Sequence, residues 1–495
     1  MPWLTIIGLL PLVGALVTTI VKGHTRVPVG VAFAVVTFGL SVWAVTARST
    51  LDESYSWIPQ IGSHYALRMD GLSALLVLAS TFVTAIVILT RWNTQRWFNL
   101  PPLALALESA ALFTFLANDI LIFFIAFEVT LIPMYFLIAA GGKPKRSAAA
   151  MKFLLYSLAG GLILLGGVIY VMAIHVTAAT PGGLSFSDLS ALVLTPGAEK
   201  VLFLVFFVAF ALKAPLVPLH PWLPDAVEQA RPAASVLLVG LLDGIGLYGM
   251  VRFCVGITPG GATWAAFGVE IVALVSVVYG AFAAIASRSL MRMAAFTSIG
   301  HAGFMVMGLF AFTTAGMNGA MTYVAAHALS ATALILAAAW AVKRRGDDLT
   351  PGAFGGLARR APVLAGVFLV AGLATLALPG TANFAAELSI IVGTWARHPV
   401  LVAIALLGVL GAGVYVMWAY QRVFTGAPDV DGGELQPEGT PQTDDISPTS
   451  RAAIGLALAG VIAFGVSPGV AQNLVSDTVG QSMSAAQMSD PEGGR

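Results

Sequence analysis

Apolar runs of about 20 residues, each long enough to cross a bilayer as a helix, recur from one end of the chain to the other. Short polar segments separate them, and we number the fourteen runs spans 1 to 14. The pattern predicts an all-α polytopic membrane protein with about 14 transmembrane helices. The predicted spans lie at about 2–21, 27–46, 71–90, 98–117, 120–140, 150–176, 200–223, 230–251, 262–286, 294–313, 318–341, 361–396, 399–421 and 452–472.

Two of these runs cannot be single straight helices. Span 7 contains Pro215, Pro218 and Pro221, and each proline removes a backbone donor and clashes with the preceding turn. Span 12 is about 35 residues long, which is over 50 Å as a helix against a hydrocarbon core of about 30 Å. Its 378–383 segment, Leu-Pro-Gly-Thr-Ala-Asn, marks the break. We therefore predict that helices 7 and 12 are discontinuous.

The two interrupted spans are five spans apart, and an odd offset reverses the direction in which a helix crosses the membrane. Paired interrupted helices in corresponding positions are typical of inverted repeats in transporters. We expect two inverted five-helix repeats, spans 4–8 and spans 9–13. The expected divisions are 1–97 for helices 1–3, 98–253 for the first repeat, 262–421 for the second repeat, 422–451 for a polar cytoplasmic loop, and 452–495 for helix 14 with an external tail.

Charge in the loops indicates an orientation. Loops after odd-numbered spans carry clusters of basic residues, among them Lys143, Lys145, Arg146, Arg288, Arg292, Lys343, Arg344 and Arg345. The other loops hold only Arg48, Arg68, Lys200, Arg252 and Arg397. By the positive-inside bias the odd-numbered loops are cytoplasmic, so both termini are expected outside a bacterial plasma membrane. The 48–70 loop, with several aromatic residues among polar ones, suits a structured external cap.

Composition narrows the class of function. Of the 495 residues 58% are hydrophobic and 10% are charged, which is too apolar for a soluble protein. The formal net charge of +1 argues against a nucleic-acid partner. The single cysteine, Cys254, excludes a disulfide framework and any cysteine-based metal or iron–sulfur site. No Rossmann fingerprint in a strand-to-helix setting and no soluble domain are found, so no nicotinamide or flavin site is expected.

Charged side chains within the apolar runs are candidates for function. Lys213 lies about 13 residues into span 7, roughly 20 Å along a helix, beside the proline break. Glu128 lies about nine residues into span 5, roughly 13 Å deep. An ionised group at the membrane centre costs about 2.5–3.5 kcal/mol on insertion scales. We therefore predict that the Glu128 carboxylate pairs with the Lys213 ammonium, either within a proton path or as a purely structural ion pair.

Three further buried groups continue this series. Asp243 lies in span 8, His327 in span 11, and Glu387 just after the break in span 12. His327 can exchange a proton near neutral pH, although a lone histidine in a helix is often an ordinary core residue. His220 and His301 are weaker cases of the same kind. An acid, a base, an acid, an imidazole and an acid in five helices predict a hydrated proton relay through Glu128, Lys213, Asp243, His327 and Glu387.

Five stretches carry motifs of a known membrane-protein family. They are 127–138 (Phe-Glu-Val-Thr-Leu-Ile-Pro-Met-Tyr-Phe-Leu-Ile), 152–157 (Lys-Phe-Leu-Leu-Tyr-Ser), 211–225 (Ala-Leu-Lys-Ala-Pro-Leu-Val-Pro-Leu-His-Pro-Trp-Leu-Pro-Asp), 327–330 (His-Ala-Leu-Ser) and 378–387 (Leu-Pro-Gly-Thr-Ala-Asn-Phe-Ala-Ala-Glu). Through them the sequence resembles the antiporter-like membrane subunits of proton-pumping NADH:quinone oxidoreductase, respiratory complex I, in their subunit-M branch and in an actinobacterial form. The similarity runs from about residue 2 to residue 425.

The resemblance implies roles for these residues. It implies that Glu128 and Lys213 form the charge pair of a proton channel and that His327 and Glu387 continue its hydrophilic axis. Lys152, in the second stretch, is a secondary candidate. It also implies that this chain binds no cofactor, because NADH, FMN, iron–sulfur clusters and quinone belong to other subunits. The expected partners are other membrane subunits of the complex, especially sister antiporter-like subunits on either side, together with the lipid bilayer and protons.

The chain departs from the family in span 8, where Gly244 stands in place of the usual lysine and Asp243 precedes it. Residues 289–293, Ser-Leu-Met-Arg-Met, also differ from the usual motif before span 10. Two alternatives stay open: a Na⁺/H⁺ antiporter subunit of the Mrp type, and a scaffold subunit that has lost pumping. We expect Asp243 within water-bridged reach of the Lys213–His327 line and Gly244 beside a hydrated pocket. Consecutive helical residues point about 100° apart, so this requires a rotated or distorted span 8.

Overall fold

Eleven helices in the described part of the chain are long and apolar enough to cross a membrane. The computed structural model describes residues 1–90, 100–141, 143–177, 183–345, 349, 356–426 and 445–489. The eleven helices correspond to spans 1–3, 5, 6, 8–11, 13 and 14. They are Trp3–Ile20, Gly23–Thr50, Gly71–Leu89, Ile120–Ala139, Arg146–Val176, Pro232–Val255, Pro259–Ala286, Leu290–Phe310, Thr314–Arg344, Pro399–Phe424 and Pro448–Val466.

The three remaining predicted spans are helical as well. Span 4 is the 17-residue helix Leu100–Leu116. Span 7 consists of Pro196–Lys213 and Trp222–Gln229, and span 12 consists of Pro362–Thr375 and Ala382–Trp395. The prediction of an all-α polytopic protein with discontinuous helices 7 and 12 is therefore confirmed. The predicted division into repeats and loops stays a prediction.

Backbone polar groups freed at the break in span 7 find partners inside the protein. The Trp222 indole N–H donates to the Leu212 carbonyl over 2.9 Å, and the Val217 N–H donates to the Ser276 hydroxyl over 3.0 Å. Non-helical backbone is tolerated at membrane depth where the protein supplies such partners. In span 12 the chain turns at Gly380, whose φ of 94° is a left-handed conformation that glycine adopts readily.

Span 8 is not a regular α-helix. Its α-helical part, Asp243–Gly249, lies between two π-helical segments, Leu238–Leu242 and Met250–Val255. A π-helical turn holds more residues than an α-helical turn, so it rotates the residues that follow it. The distortion that a shared pocket for Asp243 and Gly244 requires is thus present.

An ion pair holds one end of span 8 against the start of span 3. Arg252 lies 2.5 Å from the Asp70 carboxylate, donates to the Ser73 hydroxyl over 3.1 Å and packs on the Tyr248 ring at 4.9 Å. Burial tends to raise the pKa of Asp70, but the Arg252 charge and the hydrogen bonds from Ser73 and Arg252 outweigh burial and lower that pKa. An ionised Asp70 therefore both caps span 3 and anchors span 8.

A β-hairpin lies beside the N-terminus. Strands β1 (Asp52–Ile58) and β2 (Ser63–Arg68) pair antiparallel, and the Leu4 N–H donates to the Glu53 carboxylate over 2.6 Å. The structured cap expected over 48–70 is therefore this hairpin. We call the face that carries it the terminal face.

The tail expected after span 14 contains a further helix. Span 14 ends at Val466, and the helix Pro468–Ser489 follows at once. A Cβ on Gly71 would lie 1.7 Å from the Leu474 carbonyl oxygen, so this C-terminal helix packs directly on the start of span 3. It therefore covers the terminal face, and span 14 ends earlier than predicted because Pro468 cannot continue it.

The connections between spans contribute little regular structure. Two short helices, Phe186–Ser190 and Leu357–Arg360, lie in them. Of the polar loop predicted at 422–451, residues 427–444 lie outside the described residues.

Candidate functional site

Lys213 is the last residue of the first half of span 7, where the break begins. Its side chain is buried, and Nζ lies 5.1 Å from the centroid of the Phe127 ring and 5.7 Å from that of Phe153. Nζ has no hydrogen-bond partner among the residues that the structure describes. Aromatic faces attract a cation but cannot accept its proton. The charge of Lys213 therefore depends on acids farther away, Glu128 and Asp243, with which it interacts electrostatically.

Glu128 follows Phe127 on span 5 and is half-buried. A Cβ on Gly161 in span 6 would come 1.8 Å from the Glu128 Oε1 atom, so this glycine leaves room for the carboxylate. No ion-pair contact within 4.0 Å joins Glu128 to Lys213, and Oε1 has no hydrogen-bond partner within the described ranges. The two charges interact across a gap, and a functional pairing between them stays a prediction.

Asp243 and Gly244 line one cavity together with His327. Ala214, the first residue of the break in span 7, and the hydroxyl-bearing Ser298 also line it. The cavity has a volume of about 20 Å³, which is room for about one water molecule. Both Asp243 carboxylate oxygens are buried and lack hydrogen-bond partners among the described residues. The π-helical turn before Asp243 rotates Asp243 and Gly244 together about the helix axis.

His327 and His301 face each other between spans 11 and 10. Their Nδ1 atoms are 3.0 Å apart, so the N–H of one ring donates a hydrogen bond to the bare nitrogen of the other. His301 also interacts with the backbone of Thr375, at the break in span 12, and a backbone carbonyl requires an N–H on the ring. We therefore assign the proton between the rings to His327, which leaves its Nε2 as an acceptor. That Nε2 has no hydrogen-bond partner in the described part of the chain.

Glu387, in the second half of span 12, is buried and accepts a hydrogen bond from the Tyr323 hydroxyl. A second cavity of about 20 Å³ is lined by Glu387, His301 and Tyr415, and it too has room for about one water. The contact between the two histidines therefore joins the cavity that holds Asp243 to the cavity that holds Glu387.

Sequence reasoning missed two tyrosines at this end of the line. Tyr323 precedes His327 by one helical turn, so both lie on one helix face, and that spacing could have indicated it. Tyr415 lies on span 13 without any such signal, and it makes a side-chain hydrogen bond to Thr297. Both tyrosines are buried.

The secondary candidates divide between two places. His301 belongs to the line of buried groups. Lys152 pairs with Asp225 over 2.6 Å, and Asp225 also contacts Arg292 over 2.9 Å. The His220 ring packs against the Tyr279 ring in a tilted arrangement, with 4.8 Å between centroids, and it interacts electrostatically with Lys152. Lys152 and His220 therefore form part of a separate ion cluster, on the face opposite the terminal face.

Two buried acids were not among the sequence candidates. Glu108 in span 4 and Glu270 in span 9 are fully buried, and their carboxylate oxygens have no hydrogen-bond partner among the described residues. A single acid inside an apolar run is the signal that could have identified both.

The side chains of the site are titratable groups that can exchange protons. No group of three or more His, Cys, Asp or Glu within the described ranges could hold a metal ion. Titratable side chains alternate with water-sized cavities from span 7 to span 12, and such an arrangement can pass protons in short steps.

Comparison with known proteins identifies the family whose members this chain resembles. The family described as NADH:quinone oxidoreductase/Mrp antiporter, TM, matches residues 117–412, which is more than half of the chain. NADH-quinone oxidoreductase subunit M of Mycobacterium tuberculosis is 34% identical over 99% of this chain and 95% of its own length. The subunit M of Rhodobacter capsulatus is 32% identical over 97% of this chain and 95% of its own length.

Two solved structures share the fold. A chain of respiratory complex I from Thermus thermophilus with bound NADH superposes with a TM-score of 0.87 at 27% identity, covering 98% of this chain and 99% of that chain. A chain of the Mrp complex from Dietzia sp. DQ12-45-1b superposes with a TM-score of 0.83 at 22% identity, covering 99% and 98% of the two chains. The second match supports the fold alone.

Proposed function

The chain belongs to the family of membrane subunits that NADH:quinone oxidoreductase and Mrp antiporters share, and within it to the antiporter-like subunits M of respiratory complex I; we propose that it carries protons across the membrane through its line of buried groups. The observation that carries this proposal is the contact between His301 and His327, because it bridges the two cavities that hold Asp243 and Glu387. A bundle that served only as a scaffold would have no need to place titratable groups on both sides of such a bridge.

The transfer consists of short steps. A proton on Lys213 passes to an Asp243 carboxylate oxygen through a water in the shared cavity, leaving a neutral amine and a neutral acid. His327 accepts the proton at Nε2 and releases its Nδ1 proton to His301. His301 then releases its other ring proton through the second cavity to Glu387. The histidine contact holds one proton before and after this transfer, so no charge accumulates on either ring.

Glu128 is the group through which the path can be controlled. It is half-buried, whereas Lys213, His327 and Glu387 are buried. An ionised Glu128 favours the charged form of Lys213, and a neutral Glu128 removes that preference. A neighbouring subunit that changes the charge near Glu128 would therefore load or unload Lys213.

The chain is a multi-pass bacterial membrane protein and a subunit of the oxidoreductase complex. We assign the redox chemistry, with NADH, FMN, iron–sulfur clusters and quinone, to other subunits of the complex. Sister antiporter-like subunits would lie on either side of this chain in the plasma membrane. The terminal face would point outward.

The two alternatives predict different behaviour. A Na⁺/H⁺ antiporter of the Mrp type would exchange protons for Na⁺ without NADH, and a scaffold subunit would tolerate loss of any relay group. The subunit M relatives, which match over nearly the whole chain, support the complex I assignment. The scaffold alternative rests on Gly244, which stands in place of the lysine that is usual in the family.

Replacing the central base tests the proposal. Lys213→Ala is expected to abolish or strongly reduce NADH-driven proton pumping in membrane vesicles, because it removes the base beside the first cavity. The matched control is Lys200→Ala, which removes a lysine from the same helix whose ammonium lies 5.1 Å from the Trp264 ring. Normal pumping by Lys213→Ala, with the variant subunit shown to be assembled, would rule out the relay and favour a scaffold.

A further inference from the structure

A second pair of titratable groups lies outside the relay, between spans 9 and 13. Glu270 Oε2 is 2.5 Å from His398 Nδ1, and the two side chains are 0% and 32% exposed. His398 immediately precedes Pro399, the first residue of span 13. The pair therefore joins a fully enclosed acid to an imidazole that reaches the surface at the terminal face.

The Glu270 carboxylate lacks, among the described residues, the hydrogen bonds that stabilise a buried structural acid. The contact lies within ion-pair distance, but its angles are not those of a hydrogen bond, and neither Glu270 oxygen has a hydrogen-bond partner within the described residues. A buried carboxylate without such partners is costly. The charged neighbour that acts on both groups is Arg397. Two charged residues of span 7 contact the same end of span 9. Glu199 accepts a hydrogen bond from the Gly260 N–H, and the Lys200 ammonium lies over the Trp264 ring.

One face of span 9 leads from this pair to the Glu387 cavity. Val277 lines that cavity and lies seven residues after Glu270, which is two helical turns and about 10 Å along the same face. On span 13, Gly408 lines the cavity as well. The pair and the cavity thus lie at two levels of one interface, between the same two helices.

The interface between the two levels is narrow and lined by small residues. Ala273 and Ala405, which lie between the levels on spans 9 and 13, are fully buried. A Cβ on Gly408 would lie 2.4 Å from Val277 Cγ1, so the Val277 side chain rests on the backbone of span 13 and closes the passage. The neighbouring alanines have short side chains, so Val277 is the largest of these side chains between the two levels.

We propose that Glu270 and His398 form a proton port that connects the Glu387 cavity of this subunit with the terminal face. The proposal rests on the relay function of the chain. A proton leaves the cavity when Val277 moves and binds a Glu270 carboxylate oxygen. Glu270 passes it to His398 Nδ1, and His398 releases the proton on Nε2 to water at the surface. Glu270 returns to its ionised form, and the neutral imidazole returns from its Nδ1–H to its Nε2–H tautomer by exchange with water at the surface, so each cycle moves one proton.

The port has a direct test in membrane vesicles that contain the assembled complex. The variants are Glu270→Gln, Glu270→Asp and His398→Gln, with Glu199→Gln as the matched control because Glu199 is a carboxylate that accepts a hydrogen bond from the Gly260 N–H at the same end of span 9. Lys213→Ala is measured alongside. The readout is the number of protons moved per NADH oxidised, normalised to the amount of assembled subunit.

A port predicts loss of pumping in Glu270→Gln and His398→Gln, with pumping retained in Glu270→Asp and Glu199→Gln. A purely structural tie predicts the reverse order at position 270, because glutamine keeps the size of the side chain and aspartate does not. If Lys213→Ala loses pumping while Glu270→Gln and His398→Gln keep it, the port is overturned and the relay stands. If Lys213→Ala keeps pumping, the relay itself fails. Should Glu270→Gln not assemble, the partly exposed His398→Gln decides.

Discussion

Lys213 lies among aromatic rings, and no acid in the described part of the chain is in contact with it. A desolvated cation over aromatic faces gains about 2 kcal/mol, while the cost of removing an ion from water is several kcal/mol. The rings therefore offset only part of the cost, and the carboxylates of Glu128 and Asp243 offset a further part across a gap. A base in this situation changes its charge when either acid does, which a tightly paired lysine would not.

The space around Glu128 gives a prediction at Gly161. In Gly161→Ala the new Cβ would lie 1.8 Å from Glu128 Oε1, so the carboxylate must move. We expect pumping to fall as it does in Glu128→Gln, with a loss of stability of about 1–3 kcal/mol, the usual cost of overpacking. Gly166→Ala is the control, because nothing lies within 4 Å of a Cβ at that position on the same helix. Equal pumping by the two variants would show that the position of Glu128 is unimportant.

Electrostatic coupling between Glu128 and Lys213 is measurable although the two do not touch. Glu128→Gln should reduce pumping, and the double variant Glu128→Gln/Lys213→Ala should lose less than the sum of the single losses. Coupled residues show interaction energies of about 0.5–3 kcal/mol in such cycles. The measurement is the pumping rate of the four proteins in vesicles at equal subunit content. Strictly additive losses would mean that the two residues act independently.

At the scale of elements, span 8 connects span 7 with spans 10 and 11 in the proposed relay, because all four line one cavity. Its α-helical centre is held between two π-helical segments, and its end is tied to span 3 through Arg252 and Asp70. Gly246 allows the break of span 7 to approach, because a Cβ there would lie 2.5 Å from Ala214. The π-helical turn before Asp243 rotates Asp243 and Gly244 together, and both line the cavity.

This arrangement predicts opposite outcomes at two glycines. Gly244→Lys should be tolerated and keep pumping, because a Cβ at this position meets only side-chain atoms that can move, Val324 Cγ1 at 2.9 Å and Leu76 Cδ2 at 3.8 Å. Gly246→Lys should prevent assembly, since its Cβ meets the backbone of Ala214. The measurements are the amount of assembled subunit and proton pumping per NADH.

Asp243→Asn should impair pumping, because the amide cannot take up the proton that leaves Lys213. Asp188→Asn, which changes an acid in a loop of the terminal face, is the control. Normal pumping by Asp243→Asn, measured per assembled complex, would mean that the path avoids Asp243 and that Gly244 marks an interrupted channel.

Much of the framework could be predicted from the sequence because its signals are local. Three prolines and an overlong apolar run predict the two broken helices, and charges inside apolar runs mark Lys213, Asp243 and Glu387. The π-helical segments carry no such signal, since Leu-Val-Gly-Leu-Leu reads as ordinary helix. The contact between Glu270 and His398 could not be predicted either, because it depends on how spans 9 and 13 meet.

At the scale of the whole molecule, the two faces differ in construction. The terminal face carries the hairpin, the Asp70–Arg252 ion pair and the C-terminal helix Pro468–Ser489. The opposite face carries the cluster of Lys152, Asp225 and Arg292 and most of the basic loop residues. The proposed relay lies within the spans between these faces, and the direction of pumping therefore depends on which face is outside.

The distribution of basic residues predicts that the terminal face lies outside the membrane, and cysteine labelling can test this orientation. Its single cysteine, Cys254, is buried, so an introduced cysteine gives the accessible thiol. Ser484→Cys lies on the exposed side of the C-terminal helix, and Lys145→Cys lies in an exposed loop of the opposite face. Because the positive-inside bias places the opposite face in the cytoplasm, a membrane-impermeant thiol reagent should label Ser484→Cys in intact cells and Lys145→Cys only in inverted vesicles. Cys254 alone, in the parent protein, supplies the background.

The reverse labelling pattern would place both termini in the cytoplasm, and it would make the Glu270–His398 port an inlet from that side.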